Sequence, residues 1–235
     1  MSCYKMRTGV RNMEVGLQRT FVGDEIIPVR VKEFLDEADE FSLLMMRYNC
    51  AIREVRTKLE VLNDELSVVG QHNPIEAIKS RVKKSESIAD KLMRKGKPLT
   101  VESIETNLND VAGVRVICSF MDDIYQVARM LAVQDDITVL EVKDYIKHPK
   151  SNGYRSYHMI VEIPVFFSDV KRSMRVEIQI RTIAMDFWST LEHQVRYKKA
   201  IPNTEFIVGR LKECSDTIAQ TDREMMEIRN YLQGS

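Results

Sequence analysis

Residues 175–181 alternate without a break, with Val176, Ile178 and Ile180 on one side and Arg175, Glu177, Gln179 and Arg181 on the other. Such a period of two is strand geometry, because successive side chains point to opposite faces of a sheet. The segment feeding it, residues 143–158, is a cationic loop. Lys143, Lys147, Lys150 and Arg155 have only Asp144 as counter-charge, with His148 and His158 among them. Pro149, Asn152 and Gly153 mark this stretch as a turn region. A cation-rich loop leading to a strand with one carboxylate between arginines suits a phosphate-rich substrate and a metal. An ordinary hairpin with a solvated outer face is the plainer alternative.

Charge balance narrows the partners. Lysine plus arginine and aspartate plus glutamate are equal at 35 each, so no global field is available to hold long nucleic acid. Any anion must be held by local clusters. With 44% hydrophobic and 30% charged residues, the chain reads as a soluble globular protein. No apolar run approaches the roughly 20 residues that span a bilayer, and the first residues carry no secretory h-region. Cys3, Cys50, Cys118 and Cys214 are scattered without a CxxC pair. They read as reduced thiols of a cytoplasmic protein, not as a disulfide frame or zinc site.

Along the chain, residues 1–24 are polar and glycine-containing and are expected to be loose. Pro28 opens a helix to about Val69. Met45, Tyr48, Ile52, Val55, Leu59, Leu62, Leu66 and Val69 recur on it at spacings of three and four. The seam they form is roughly 36 Å long and packs either on its own domain or on another subunit. Residues 75–83 read as a strand that places Lys79, Arg81 and Lys83 on one face, although Asn73-Pro74 with Glu76 could start a helix instead. Ser85 or Ser87 is expected to cap a short helix that Gly96 stops. Strand, turn and helix start offer free N–H groups to phosphate, with Lys91 one turn above Ser87. Further elements are expected as a helix near 101–108, a buried strand at 114–120, a helix to about Ala132 and a strand at 138–142. Strands at 157–167 and 174–182, paired antiparallel, a helix at 183–199 and a last amphipathic helix with Leu211, Ile218, Met225 and Leu232 on one stripe complete the chain. The fold class is α+β, a mixed and mostly antiparallel sheet flanked by helices. The expected organisation is an N-terminal helical extension at 1–72, a catalytic core at 73–200 and a C-terminal helix at 201–235.

Two carboxylates stand out on these elements. Asp110 directly precedes a buried strand, and Glu177 lies on the polar side of another. Carboxylates from two strands of one sheet can hold Mg2+, which bridges phosphate oxygens and retains waters; a turn aspartate and a surface ion pair are the alternatives. Arg115 sits inside an apolar strand and needs a partner, either a nucleobase or phosphate or an internal ion pair. Tyr154, at the loop exit, can stack on a purine or simply pack.

Taken together, D-V-A-G-V-R at 110–115, H-P-K-S-N-G-Y-R-S-Y-H at 148–158, E-I-Q-I-R-T at 177–182 and F-W-S-T-L-E-H at 187–193 resemble the RelA/SpoT-type alarmone synthetases, the GTP pyrophosphokinases. The resemblance covers residues 73–200 and implies a nucleotidyltransferase-like synthetase core. It implies transfer of the β,γ-pyrophosphate of ATP to the ribose 3′-hydroxyl of GDP or GTP, with GMP also a conceivable acceptor, giving AMP and ppGpp or pppGpp in the stringent response. By the same resemblance Arg81 and Arg115 would sandwich adenine, and Lys83, Ser87 and Lys91 would hold the triphosphate. Asp110 and Glu177 would bind Mg2+, Glu177 being also the candidate for activating the 3′-hydroxyl. Tyr154 would stack on guanine, with Lys143, Lys150, Asn152, Arg155 and His158 around the acceptor and Gln179 nearby. None of the four histidines is followed by aspartate. The metal-dependent hydrolase domain of long family members is therefore expected to be absent, as are their regulatory domains. The small, synthetase-only branch implies a homotetramer assembled through terminal helices. The segment before Arg81, Ala77-Ile78-Lys79-Ser80, departs from the aromatic and Thr-Gly of members activated by pppGpp, which leaves such activation open. Two other readings compete: a nucleotidyltransferase-like enzyme with another acceptor, and a non-catalytic nucleotide- or RNA-binding protein.

Overall fold

The computed structural model describes residues 19–22, 25–69, 73–197 and 204–233. The chain divides into two compact units, Met1–Leu43 and Leu44–Ser235. In the first, β1 (Arg19–Val22) pairs antiparallel with β2 (Glu25–Pro28), and α1 (Val29–Val69) begins directly after Pro28. The expectation of loose structure over 1–24 is thus corrected at 19–22, where β-branched and aromatic residues favour a strand. The remainder of that stretch lies outside the described residues.

The second unit carries a five-stranded sheet in the order β3-β4-β7-β6-β5. Its elements are β3 (Ile75–Val82), α2 (Ser85–Arg94), α3 (Val101–Asn107), β4 (Ala112–Cys118), α4 (Met121–Ala132), β5 (Thr138–Asp144), β6 (Tyr157–Phe166), β7 (Lys171–Thr182), α5 (Ile183–Tyr197) and α6 (Thr204–Gln233). β4 and β7 run parallel, and the other three pairings of this sheet are antiparallel. Residues 75–82 therefore take the strand reading. α2 follows, but its N-cap is Lys84 with no side-chain cap bond, so neither Ser85 nor Ser87 caps it. Gly96 (φ +62) ends the turn after α2 in the left-handed region that glycine tolerates.

Register makes one face of the sheet polar. Lys79, Arg115, Gln179, His158 and Lys143 stand opposite one another across all five strands, and Arg81, Gly113, Glu177 and Ile160 form the next row. On the other face Val114, Val116, Met159, Val161, Val176, Ile178 and Ile180 are buried, and α4 packs on β4 and β7. Along α1, Leu44, Tyr48, Ile52, Val55, Leu59 and Leu62 are buried within this unit, whereas Val69 is 80% exposed. The seam thus serves its own domain as far as Leu62, and Lys58 ties it to Asp136 at 2.8 Å.

α6 differs from its sequence stripe. The residues buried on it are Ser215, Ala219 and Asp222, while Met225 and Leu232 are exposed. Hydrogen bonding explains the rotated face. Ser215 Oγ donates to Gly153 O at 2.5 Å, and Thr182 Oγ1 donates to Asp222 Oδ2 at 2.5 Å. Polar groups with partners can be buried without the cost of orphaned ones.

Candidate active site

The polar face carries two hydrogen-bonded clusters. The first is built on Asp110, which β4 places next to the end of β3 through a backbone bond from Lys83 N to Val111 O. Lys83 Nζ and Lys91 Nζ, from β3's end and α2, donate to Asp110 Oδ2 at 2.5 and 2.6 Å. Burial alone would push this carboxyl up, but the two ammonium groups outweigh it and hold the group below the usual aspartate range. The other oxygen, Oδ1, is buried with no hydrogen-bond partner. Two lysines against one carboxylate leave this corner cationic. Ser87 is exposed in the first turn of α2, and Arg81 is exposed on β3 beside Gly113.

The second cluster is a closed ring of five side chains. Gln179 Nε2 donates to Glu177 Oε2 at 2.9 Å, and His158 Nδ1 lies 3.3 Å from Glu177 Oε1. Tyr154 Oη is 2.8 Å from His158 Nε2. Arg181 Nη2 donates to Tyr154 Oη at 2.6 Å and to Gln179 Oε1 at 2.9 Å, closing the circuit. A neutral His158 that donates from Nδ1 and accepts at Nε2 gives every hydrogen in the ring an acceptor. Burial pushes the Glu177 carboxyl up, yet the bonds from His158 and Gln179 bring it below the usual range. Lys150 stands over the rings of Tyr145 and Tyr154, 4.7 and 4.9 Å from their centroids.

The two clusters share one cleft. Asp110, Glu177, Gln179, Arg81, Arg115 and Lys79 all line it. Asp110 is close enough that its charge opposes ionisation of Glu177.

Residues 80–201 match the family described as "Region found in RelA / SpoT proteins". GTP pyrophosphokinase YwaC of Bacillus subtilis strain 168 is 43% identical over 188 residues, spanning 80% of this chain and 90% of that protein. The chain belongs to the RelA/SpoT family. Its relatives are the small alarmone synthetases, and it is a GTP pyrophosphokinase of that kind. GTP pyrophosphokinase YjbM of the same organism is 39% identical over 83% of this chain and 90% of its own. The crystal structure of small alarmone synthetase 1 from Bacillus subtilis bound to its product pppGpp matches with a TM-score of 0.75 at 39% identity, covering 82% of this chain and 98% of that one. No described helix is long and apolar enough to cross a membrane.

In this synthetase the residues singled out from sequence fall into three groups. Asp110, Lys83 and Lys91 meet at one corner, with Arg81 on the same cleft. Glu177, Gln179, His158 and Tyr154 meet in the ring, with Lys150 above it. The others are held by further partners. Lys143 pairs with Glu141 at 3.0 Å. Asn152 donates to Glu192 Oε1 at 3.2 Å while its own Oδ1 accepts from Tyr154 N. Arg155 turns to α6, donating to Ser215 Oγ at 2.9 Å and Asp216 Oδ1 at 3.2 Å. Arg115 meets Asp186 of α5, with Nη1 3.2 Å from Oδ1. Sequence reasoning missed Asp186 and the site role of Arg181. The strand alternation placed Arg181 on the polar side but said nothing of its partners. Asp186 lay in a helix start that was read only as scaffold.

Proposed function

We propose that this cleft transfers the β,γ-pyrophosphoryl group of ATP to the ribose 3′-hydroxyl of GDP or GTP, in the cytoplasm, releasing AMP. The acceptor oxygen forms a bond to the β-phosphorus, and the bond from that phosphorus to the oxygen bridging the α-phosphorus breaks. AMP keeps that bridging oxygen. The observation carrying this reading is the pairing in one cleft of a lysine-ringed carboxylate, Asp110, with a carboxylate wired to an aromatic platform, Glu177. A triphosphate matches the first corner and a nucleoside hydroxyl the second.

In this reading Lys83, Ser87 and Lys91 take the triphosphate, the two lysines passing from Asp110 to phosphate oxygens. Arg81 and Arg115 flank adenine. Arg115 can offer its guanidinium face for stacking while its edge stays on Asp186. The donor set at Asp110 fits a hard divalent cation, since its orphaned Oδ1 is a carboxylate oxygen aimed at no protein donor. Asp110 would hold Mg2+ through that oxygen, while Glu177, on the same cleft, keeps its proton affinity for the acceptor hydroxyl. Among the described residues no group of three or more carboxylate, histidine or cysteine side chains is gathered to hold a metal ion. Bound there, Mg2+ neutralises charge on the transferring phosphates. Glu177, ionised at neutral pH and steered by His158 and Gln179, takes the proton of the 3′-hydroxyl. Tyr154 supplies the face for guanine, with Lys150 beside it. The remainder of the catalysis is positioning.

Assembly belongs to the same proposal. Met225, Ile228, Tyr231 and Leu232 leave an exposed apolar patch on α6, which supports a homotetramer built through terminal helices. The deciding experiment mixes protein, Mg2+, ATP and GDP and resolves the nucleotides by anion exchange. AMP in step with a more phosphorylated guanosine supports the reading. ADP in its place refutes it.

A further inference from the structure

Arg181 is only 3% exposed, and every one of its five N–H donors is engaged. Nε donates to Ser156 Oγ at 3.3 Å, and Nη1 to Ser189 Oγ at 3.0 Å and Asp186 Oδ1 at 3.4 Å. Nη2 donates to Tyr154 Oη and Gln179 Oε1, as described above. No donor is left for a substrate, so this arginine acts through its neighbours. Asp186, itself buried, accepts on Oδ1 from Arg115 as well as Arg181, and on Oδ2 from Lys79 Nζ at 3.2 Å. Arg115, Lys79 and Gln179 line the cleft; in the function proposed above Arg115 serves the donor nucleotide, and Tyr154, bonded to the same arginine as Gln179, serves the acceptor.

We infer that Arg181 and Asp186 are a positioning pair that couples the donor half of the cleft to the acceptor half, an inference that rests on the function proposed above. The continuous path is Arg115 to Asp186 to Arg181 to Tyr154, each step a direct polar contact. Its members also share one electrostatic problem. Lys79, Arg115 and Arg181 crowd around a single carboxylate, and Arg115, disfavoured as a cation by burial, is opposed further by the charges of Arg181 and Arg81. A nucleotide that fixes Arg115 on the donor side fixes Asp186, then Arg181, and with it the Tyr154 hydroxyl. The second nucleotide meets a side already ordered, so each tightens the other by the same factor.

The test measures binding of a non-hydrolysable ATP analogue with and without saturating GDP, in wild type, Asp186→Asn and Tyr154→Phe. In wild type GDP is expected to tighten the analogue about five-fold or more. Asp186→Asn cuts the path at its centre and keeps the cations of the cleft, so the ratio falls to near one while each nucleotide alone still binds. Tyr154→Phe cuts the path at the acceptor end with the stacking ring intact, and it serves should Asp186→Asn fail to fold. Ser189→Ala, which removes only a side partner of Arg181, keeps the wild-type ratio. An unchanged ratio in Asp186→Asn or in Tyr154→Phe overturns the coupling, as does a wild-type ratio of one with both nucleotides bound. Wild-type protein that binds neither nucleotide overturns the reading of the cleft itself, and this inference with it.

Discussion

Asp110 and Glu177 divide the chemistry by the partners each has. Asp110 pairs with two lysines through one oxygen and keeps the other without a protein partner, so Asp110→Asn removes the metal carboxylate while leaving both ammonium groups to phosphate. Turnover should fall by about 10²–10³, with ATP held at least as tightly in the absence of metal. Glu177→Gln keeps the shape and loses the base, and a loss of about 10²–10⁴ is expected. Steady-state AMP formation measures both, and near-wild-type turnover in either variant would count against its role. The pH dependence follows from the lowered pKa values of both groups. A carboxyl with a folded pKa below its unfolded value stabilises the fold above the unfolded pKa, and that contribution is lost as pH falls through the folded one. Stability should therefore drop on acidification below the ordinary carboxylate range, and less steeply in Glu177→Gln, as followed by thermal melts. A steeper acid loss in the variant would contradict this. Glu177 was legible in the sequence because a charged residue between apolar neighbours in an alternating strand is conspicuous, and Asp110 because it directly precedes a buried strand. Asp186 was not legible, because its meaning depends on Arg115, 71 positions away.

At the scale of elements, the junction between the 143–158 loop and α6 decides how Tyr154 is presented. Gly153 has φ +90, and a Cβ built there would lie 2.6 Å from Ser215 Cβ and 3.2 Å from the Lys212 backbone. Gly153→Ala must strain the turn and push the loop from α6. It should raise the apparent KM for GDP more than that for ATP and lower Tm. Equal effects on both substrates would show that the loop serves no particular half of the cleft. The turn itself was readable from Asn152-Gly153, and the strands from their alternation. The packed face of α6 was not, because an apolar stripe is a guide only where burial is apolar. Here Ser215 and Asp222 are buried by virtue of specific partners across 62 and 40 positions. α1 shows the same limit in another form. Its periodicity is uniform from Met45 to Val69, and only tertiary contact decides that the seam is buried up to Leu62 and open at Val69.

At the scale of the whole molecule, the sheet order brings β3, β4 and β7 side by side, so that residues far apart in sequence share one wet face. Alternation and loop lengths gave the α+β class and the antiparallel β6–β7 pair. The parallel contact of β4 with β7, which sets Gly113 against Glu177, required the fold. Assembly supplies the prediction at this scale. Tyr231 on α6 is 78% exposed beside Ile228 and Leu232, so Tyr231→Glu should reduce the mass found by light scattering from that of a tetramer. A wild-type monomer, or a variant of unchanged mass, would remove this patch from the interface. The central claim concerns which bond breaks, and ATP radiolabelled at the β-phosphorus tests it most directly. The account predicts that label passes into the guanosine product together with the γ-phosphorus, leaving unlabelled AMP. Label recovered in ADP or in free pyrophosphate would contradict it.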